Sequence, residues 1–149
     1  MPEQSFPFAE AKDAALERQL ATQRQRRPAD PLLSLVIPVF NEEESIDLFL
    51  DTVMPLLERA SLRFELVFIN DGSRDNTFAR LFDRGRGDRR IRIVNLSRNF
   101  GKEAALTAGI DHAKGDILIP MDIDLQDPPE LIQPFIARWR EGYDIVYGV

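Results

Sequence analysis

Residues 116–130 read DILIPMDIDLQDPPE, from Asp116 to Glu130. Ile117, Leu118 and Ile119 form a short apolar run bounded by Gly115 and Pro120, the pattern of a buried strand. Asp122, Asp124 and Gln126 follow at alternate positions. On extended backbone alternate side chains share a face, so the three oxygen-bearing groups are expected to converge. Two carboxylates and an amide oxygen suit a hard divalent cation such as Mg²⁺ or Mn²⁺. Asp127-Pro128-Pro129-Glu130 then predicts a helix start, with Asp127 as the cap and proline in the first turn. An acidic, solvated turn followed by an ordinary cap would use the same residues, so the neighbouring sequence has to decide.

Upstream, strand-like and helix-like stretches alternate. Strands are expected at Leu33–Val39, Phe64–Ile69, Ile91–Leu96 and Ile117–Met121, with a fifth at Ile145–Val149. The intervening helices are expected over Ser45–Ala60, Asp75–Arg84, Lys102–Ala113 and Pro128–Glu141. The first of them carries Ile46, Phe49, Leu50, Val53, Leu56 and Leu57 at helical spacing. This alternation predicts an α/β fold, a mostly parallel, doubly wound sheet with helices on both faces. The strands are continuous Val, Ile and Leu runs, as strands covered on both sides should be.

The chain has 149 residues, enough for one domain with a substantial core. Its hydrophobic content of 44% and charged content of 30% are those of a globular protein. The net charge of −6 gives no reason to expect a nucleic-acid partner, and an acidic cleft facing an anionic substrate would need a bridging cation. With no cysteine, disulfides, thiol catalysis and thiolate metal sites are excluded. The apolar stretch Leu32–Phe40 falls well short of the ~20 residues that span a bilayer. Residues 1–31 differ from the remainder. Ala9–Arg27 predicts a helix with a thin Leu16/Leu20 stripe and a basic end, followed by a linker with Pro28 and Pro31. It reads either as a solvated leader or as a basic segment resting on anionic lipid.

In parallel sheets ligands sit beyond the C-terminal ends of the strands, and polar residues gather at all four ends. The second end, Asn70-Asp71-Gly72-Ser73 with Asp75, reads as a turn and helix cap that leaves Asp71 free to point into the cleft and accept a hydrogen bond from a nucleobase imide. The third, Arg98-Asn99-Phe100-Gly101-Lys102, puts cations and a glycine beside open helical N–H groups, a seat for a diphosphate. Neither a Gly-x-Gly-x-x-Gly nor a P-loop pattern occurs. His112, the sole histidine, has no partner for a catalytic triad.

Ile37-Pro38-Val39-Phe40-Asn41-Glu42, Asn70-Asp71-Gly72-Ser73, Ser97 to Glu103 and Asp122 to Pro128 together resemble the family-2 glycosyltransferases. The branch resembled is that acting on polyprenyl phosphates, as bactoprenol-phosphate glucosyltransferases and dolichol-phosphate mannosyltransferases do. The resemblance covers Leu33–Val149 and implies the A-type glycosyltransferase fold. It implies an inverting, metal-dependent transfer of a hexose from a nucleotide sugar, of the UDP-glucose type, to a polyprenyl phosphate. Pro38, Asn41 and Glu42 would line the nucleoside pocket and Asp71 would read the base. Arg98 and Lys102 would hold the diphosphate and sugar, and Asp122 would lie near ribose and metal. Asp122, Asp124 and Gln126 would bind Mg²⁺ or Mn²⁺, making Asp122, Asp124 and Lys102 the catalytic set. Phe40 stands where tyrosine is frequent and Asn70 where aspartate is.

The resemblance further implies work on cell-envelope polysaccharide at the cytoplasmic face of the inner membrane. Family members continue beyond the fifth strand into acceptor-binding and membrane-facing segments, so 32–149 is expected to be the donor-binding part of a catalytic domain behind a leader at 1–31. A fifth strand at the chain end would be an open edge and a route to homo-oligomers. Two other readings compete. One is a fragment that binds nucleotide sugar without catalysis. The other is a receiver-type signalling domain, which would need an aspartate after the third strand where Ser97 and Arg98 stand.

Overall fold

The computed structural model describes residues 7–144, with side chains from Asp13 onward. In chain order the elements are α1 (Pro7–Arg26), β1 (Leu32–Val39), α2 (Ile46–Arg59), β2 (Arg63–Asn70), α3 (Thr77–Gly85), β3 (Ile91–Asn95), α4 (Lys102–His112), β4 (Ile117–Pro120), a 3-10 turn (Pro129–Leu131) and α5 (Ile132–Arg140). Two compact units result: Asp30–Leu131, and a second that joins the N-terminal segment up to Ala29 to the segment from Ile132 on.

The first unit is built on a four-stranded, all-parallel sheet in the order β3-β2-β1-β4. β1 pairs with β2 on one side and β4 on the other, so the chain reverses direction across the sheet after β3. A receiver domain has β3 beside β1, and the observed order excludes that reading. Register fixes the two faces. Val36 pairs with Val67 and Pro38 with Ile69, placing them on one face, while Ile37 and Phe68 pair on the other. α4 covers the first face, where Ala105 packs with Val36, Val67 and Ile69. α2 covers the second, where Phe49 meets Phe68 edge to face at 5.9 Å. Right-handed crossovers require this division, because β1-α2-β2-α3-β3 winds one way and β3-α4-β4 returns.

At the N-terminal end of the strands the α4 face carries a buried polar cluster that the sequence did not announce. Glu65, only 5% exposed, accepts from Arg92 Nη1 (2.6 Å), Ser34 Oγ (3.2 Å) and the Lys114 N–H (3.2 Å). Arg92 also donates to the His112 carbonyl, and Ser34 Oγ accepts from the Gly115 N–H. The cluster fastens the α4–β4 connection to the sheet and satisfies polar groups that would otherwise be costly to bury.

Three expectations need correction. The helix expected from Asp75 begins at Thr77, because the Asp75 carboxylate accepts from the Thr77 and Glu43 N–H groups and holds a turn there. The helix expected from Pro128 is a 3-10 turn closed by the Leu131 N–H on the Pro128 carbonyl, with α5 starting at Ile132. Asp127 therefore stands outside the helix: two prolines in succession offer no N–H to a cap and disfavour helical backbone before them. The leader, thirdly, is not simply solvated. In the second unit Leu20 is buried, with the Gly142 backbone so close that a Cβ on Gly142 would collide with it. Arg24 donates to the Glu141 carbonyl, and Arg27 lies over the Trp139 ring at 4.5 Å while donating to Asp144. The expected fifth strand lies outside the described residues. Among those described, no helix is long and apolar enough to cross a membrane.

Candidate functional site

Three loops at the C-terminal end of the sheet are tied into one layer. After β1, Asn41 takes left-handed backbone (φ 51°), donates its N–H to Ser73 Oγ and accepts the Arg74 N–H at 2.8 Å. The Glu42 N–H donates to Thr77 Oγ1, and the Glu42 carboxylate accepts from Ser45 Oγ at the start of α2. Gly72 (φ +73°) lies so close to the Arg98 and Asn99 backbone that no Cβ fits. Glycine is required there on both counts.

Asp71 joins the second loop to the third. Its carboxylate accepts from the Phe100 N–H (2.8 Å) and the Gly101 N–H (3.1 Å), and its carbonyl accepts from Asn99 Nδ2. It is 3% exposed. Asp71 is expected to be free in the cleft, and instead its carboxylate is engaged by these two loop N–H groups. The open N–H groups are those of the first turn of α4, from Lys102 on.

The acidic loop is also built differently from the extended strand expected. The Met121 N–H still bonds to the Val36 carbonyl, but the chain then turns, with the Leu125 N–H on the Asp122 carbonyl (3.4 Å) and the Gln126 N–H on Asp124 Oδ1 (3.2 Å). Leu125 takes left-handed backbone (φ 58°), which costs a non-glycine residue ~1–2 kcal/mol. Met121 and Ile123 are buried and anchor the turn. Asp122, Asp124 and Gln126 nevertheless line one cavity of about 540 Å³ with Pro38, Glu42, Asp71 and Lys102. This cavity opens beyond β1 and β4, where the strand order reverses, the usual ligand position in such sheets.

Inside it, Lys102 Nζ donates to Asp122 Oδ1 at 2.6 Å. That bond raises the lysine pKa above its ordinary value. Partial burial opposes the rise, and the charges of Asp122, Asp124 and Asp127 add to it. Two expected site residues lie elsewhere. Arg98 and Asn41 line an adjoining cavity of about 710 Å³ with Arg74, Ser73 and Phe78. Phe40 and Asn99 border both cavities. Asn99 belongs to the Ser97 to Glu103 stretch, and no individual role is expected of it from the sequence.

Together the parallel sheet, its order and the acidic loop at the reversal define a glycosyltransferase domain of the A type. The chain belongs to glycosyl transferase family 2, whose model matches residues 34–149. It is 50% identical over 114 residues to a prophage bactoprenol glucosyl transferase homolog of Escherichia coli, covering 76% of this chain and 37% of that protein. The aligned part thus spans little more than a third of the curated relatives it matches, 36% and 37% of their length. Among solved structures, the glucosyl-3-phosphoglycerate synthase of Mycobacterium tuberculosis superposes with a TM-score of 0.62 at 27% identity, over 87% of this chain and 47% of that one. A mannosyltransferase of Pyrobaculum calidifontis, solved with GDP-Man and Mn²⁺, shares the fold at 22% identity and TM-score 0.57, over 80% and 44%.

Proposed function

We propose that this domain binds a nucleotide sugar and transfers its hexose, of the UDP-glucose type, to a polyprenyl phosphate at a membrane surface. The observation that carries the proposal is the convergence of Asp122, Asp124, Gln126 and the Lys102 ammonium on one cavity bordered by Pro38, Glu42 and Asp71. Similarity to the bactoprenol branch supports the choice of sugar and acceptor.

The donor set fits a hard divalent cation. It supplies two carboxylates and an amide oxygen, and among the described residues no three His, Cys, Asp or Glu side chains are grouped to hold a metal by themselves. Such a cation takes its remaining ligands from phosphates and water. Asp122, Asp124 and Gln126 would hold Mg²⁺ or Mn²⁺, which when bound would stabilise negative charge on the leaving diphosphate. Lys102 donates to the same diphosphate after leaving Asp122. Pro38 and Glu42 border the nucleoside. Asp71 keeps acceptor capacity beyond its two backbone partners, and we assign the base imide N–H to it. In the transfer an acceptor phosphate oxygen bonds to the anomeric carbon from the face opposite the leaving group. The bond to the nucleoside diphosphate breaks, and its electron pair leaves with the diphosphate oxygen. A phosphate monoester is largely dianionic at neutral pH (second pKa about 6), so no strong general base is required.

The test has two arms. Titration calorimetry with UDP-glucose in Mn²⁺ and in EDTA measures donor binding, and radiolabelled glucose with polyprenyl phosphate in detergent measures transfer. Metal-dependent donor binding is expected, without transfer by residues 1–149 alone. Donor binding that is equal in Mn²⁺ and EDTA would overturn the assignment of the acidic loop, and robust transfer by residues 1–149 alone would place the acceptor contacts within them.

A further inference from the structure

Two cavities adjoin at the C-terminal end of the sheet, and their charges are opposite. The one at β1 and β4 carries Glu42, Asp71, Asp122 and Asp124 against the single cation Lys102. The one beyond β2 and β3 carries Arg74 and Arg98, with no carboxylate among its described lining residues. Arg63, Arg80, Arg84, Arg90 and Arg92 of the same unit each hold a carboxylate. Arg74 and Arg98 hold none among the described residues, nor do Arg59, Arg86 and Arg89, but only Arg74 and Arg98 line this cavity. The Arg98 guanidinium is stacked on the Phe100 ring at 4.6 Å, which orients its plane while leaving its edge N–H groups available.

Hydrogen bonding biases the remaining lining toward donors. Asn41 Oδ1 is taken by the Arg74 N–H, Asn95 Oδ1 by Asn70 Nδ2, and Ser73 Oγ accepts the Asn41 N–H. These side chains offer amide N–H groups and a hydroxyl proton, with one lone pair of each oxygen already taken. Asn99 and Asn70 spend an Nδ2 donor themselves, on the Asp71 carbonyl and on Asn95 Oδ1. Two guanidiniums among spare donors form a site for an anion with several acceptor oxygens. Phe40 and Phe78, 44% and 41% exposed, supply an apolar wall beside it.

We infer that this cavity is a second, metal-independent site for an organic phosphate, with the phosphate on Arg74 and Arg98 and the apolar part on Phe40 and Phe78. It is distinct from the acidic cavity and does not depend on the function assigned there. A soluble aryl phosphate and a lipid phosphate headgroup share this chemistry.

Phenyl phosphate is the probe, titrated in EDTA to remove any metal-dependent contribution. Phenyl phosphate should bind about tenfold more tightly than inorganic phosphate, through the added apolar contact. Arg74→Gln with Arg98→Gln should abolish binding of both, Arg98→Lys should retain part of it, and Asp124→Asn should leave it unchanged. In the wild type, amide resonances of Ser73, Phe78 and Asn95 should shift on titration, a readout independent of any variant's folding. Vesicles containing phosphatidic acid separate the sources. Sedimentation of the wild type but not the double variant assigns a lipid headgroup, and phenyl phosphate binding without sedimentation assigns a soluble ligand. Unchanged affinity in the double variant, equal affinity for inorganic phosphate, or loss in Asp124→Asn would each overturn the assignment.

Discussion

Lys102 Nζ donates to Asp122 Oδ1 at 2.6 Å, joining the first residue of α4 to the acidic loop after β4. The ammonium thus occupies an oxygen that a divalent cation would use, so lysine and metal compete for Asp122. Lys102→Met should tighten Mn²⁺ binding in the absence of nucleotide by about two- to fivefold, the worth of one exposed ion pair. The same variant should bind nucleotide sugar more weakly, about tenfold, for want of a charge-assisted bond to phosphate. Calorimetry with Mn²⁺ alone and then with donor separates the effects, and parallel losses in both titrations would sink the competition.

Asp124 makes one intramolecular hydrogen bond, to the Gln126 N–H, and is exposed. Asp124→Asn should therefore leave the thermal midpoint nearly unchanged. Mn²⁺-dependent donor binding should fall about tenfold or more, since one of only two carboxylates is lost. Unaltered donor affinity in Mn²⁺ would move the metal away from this loop.

Asp71 combines a structural and a binding assignment, and the two can be separated. Asp71→Ala strands the Phe100 and Gly101 N–H groups, at a cost of about 1–3 kcal/mol in urea unfolding. Donor affinity should drop for every nucleotide with the same base, whatever the sugar, because the residue is assigned to the base. Discrimination between sugars on one nucleotide would put Asp71 at the sugar instead.

At the opposite end of the strands, Arg92→Met leaves the buried Glu65 carboxylate without its cation. About 3 kcal/mol of stability should be lost. Donor affinity of the folded fraction should be unaffected, because none of the cluster borders the acidic cavity. An effect on affinity as large as the effect on stability would contradict this separation of the two ends.

Acid should loosen the α2–α3 side of the sheet. Asp47 is held below its ordinary pKa of 3.8 chiefly by its hydrogen bond from Arg84, and Asp88 chiefly by that from Arg90. For Asp75, burial pushes the pKa up, but the bonds from Thr77 and Glu43 outweigh it. All three shifts are downward, so the stabilisation they carry is present above pH 3.8 and disappears as pH falls through the folded-state values. Urea midpoints measured from pH 6 downward should decline below that point, and less steeply in Asp75→Asn.

The parallel sheet was legible because burial on both faces demands continuous runs such as Leu35-Val36-Ile37 and Leu66-Val67-Phe68-Ile69. Strand ends then told where polar residues would gather. Pairings across long sequence separations were not legible: nothing local in Asp71 specifies Phe100 and Gly101, nor in Glu65 specifies Arg92. Leu125 misled for a different reason. Leucine carries no turn signal, yet Leu125 takes left-handed backbone just beyond the buried Met121 and Ile123. Arg98 and Lys102 share a loop in sequence yet line different cavities, because Gly101 turns the chain between them (φ +100°).

Gly109 gives α4 an unusually shallow seat. A Cβ at that position would run into Val36 on β1 and Ile69 on β2, so the helix rests directly on the two strands. Lys102 lies seven residues earlier, roughly 10 Å along the same rigid helix. The clearance of one methyl group under the middle of α4 therefore gauges how far the lysine reaches at its tip. A side chain at 109 would have to push aside the Val36 and Ile69 side chains or lift the helix, and a lifted helix would carry Lys102 away from Asp122.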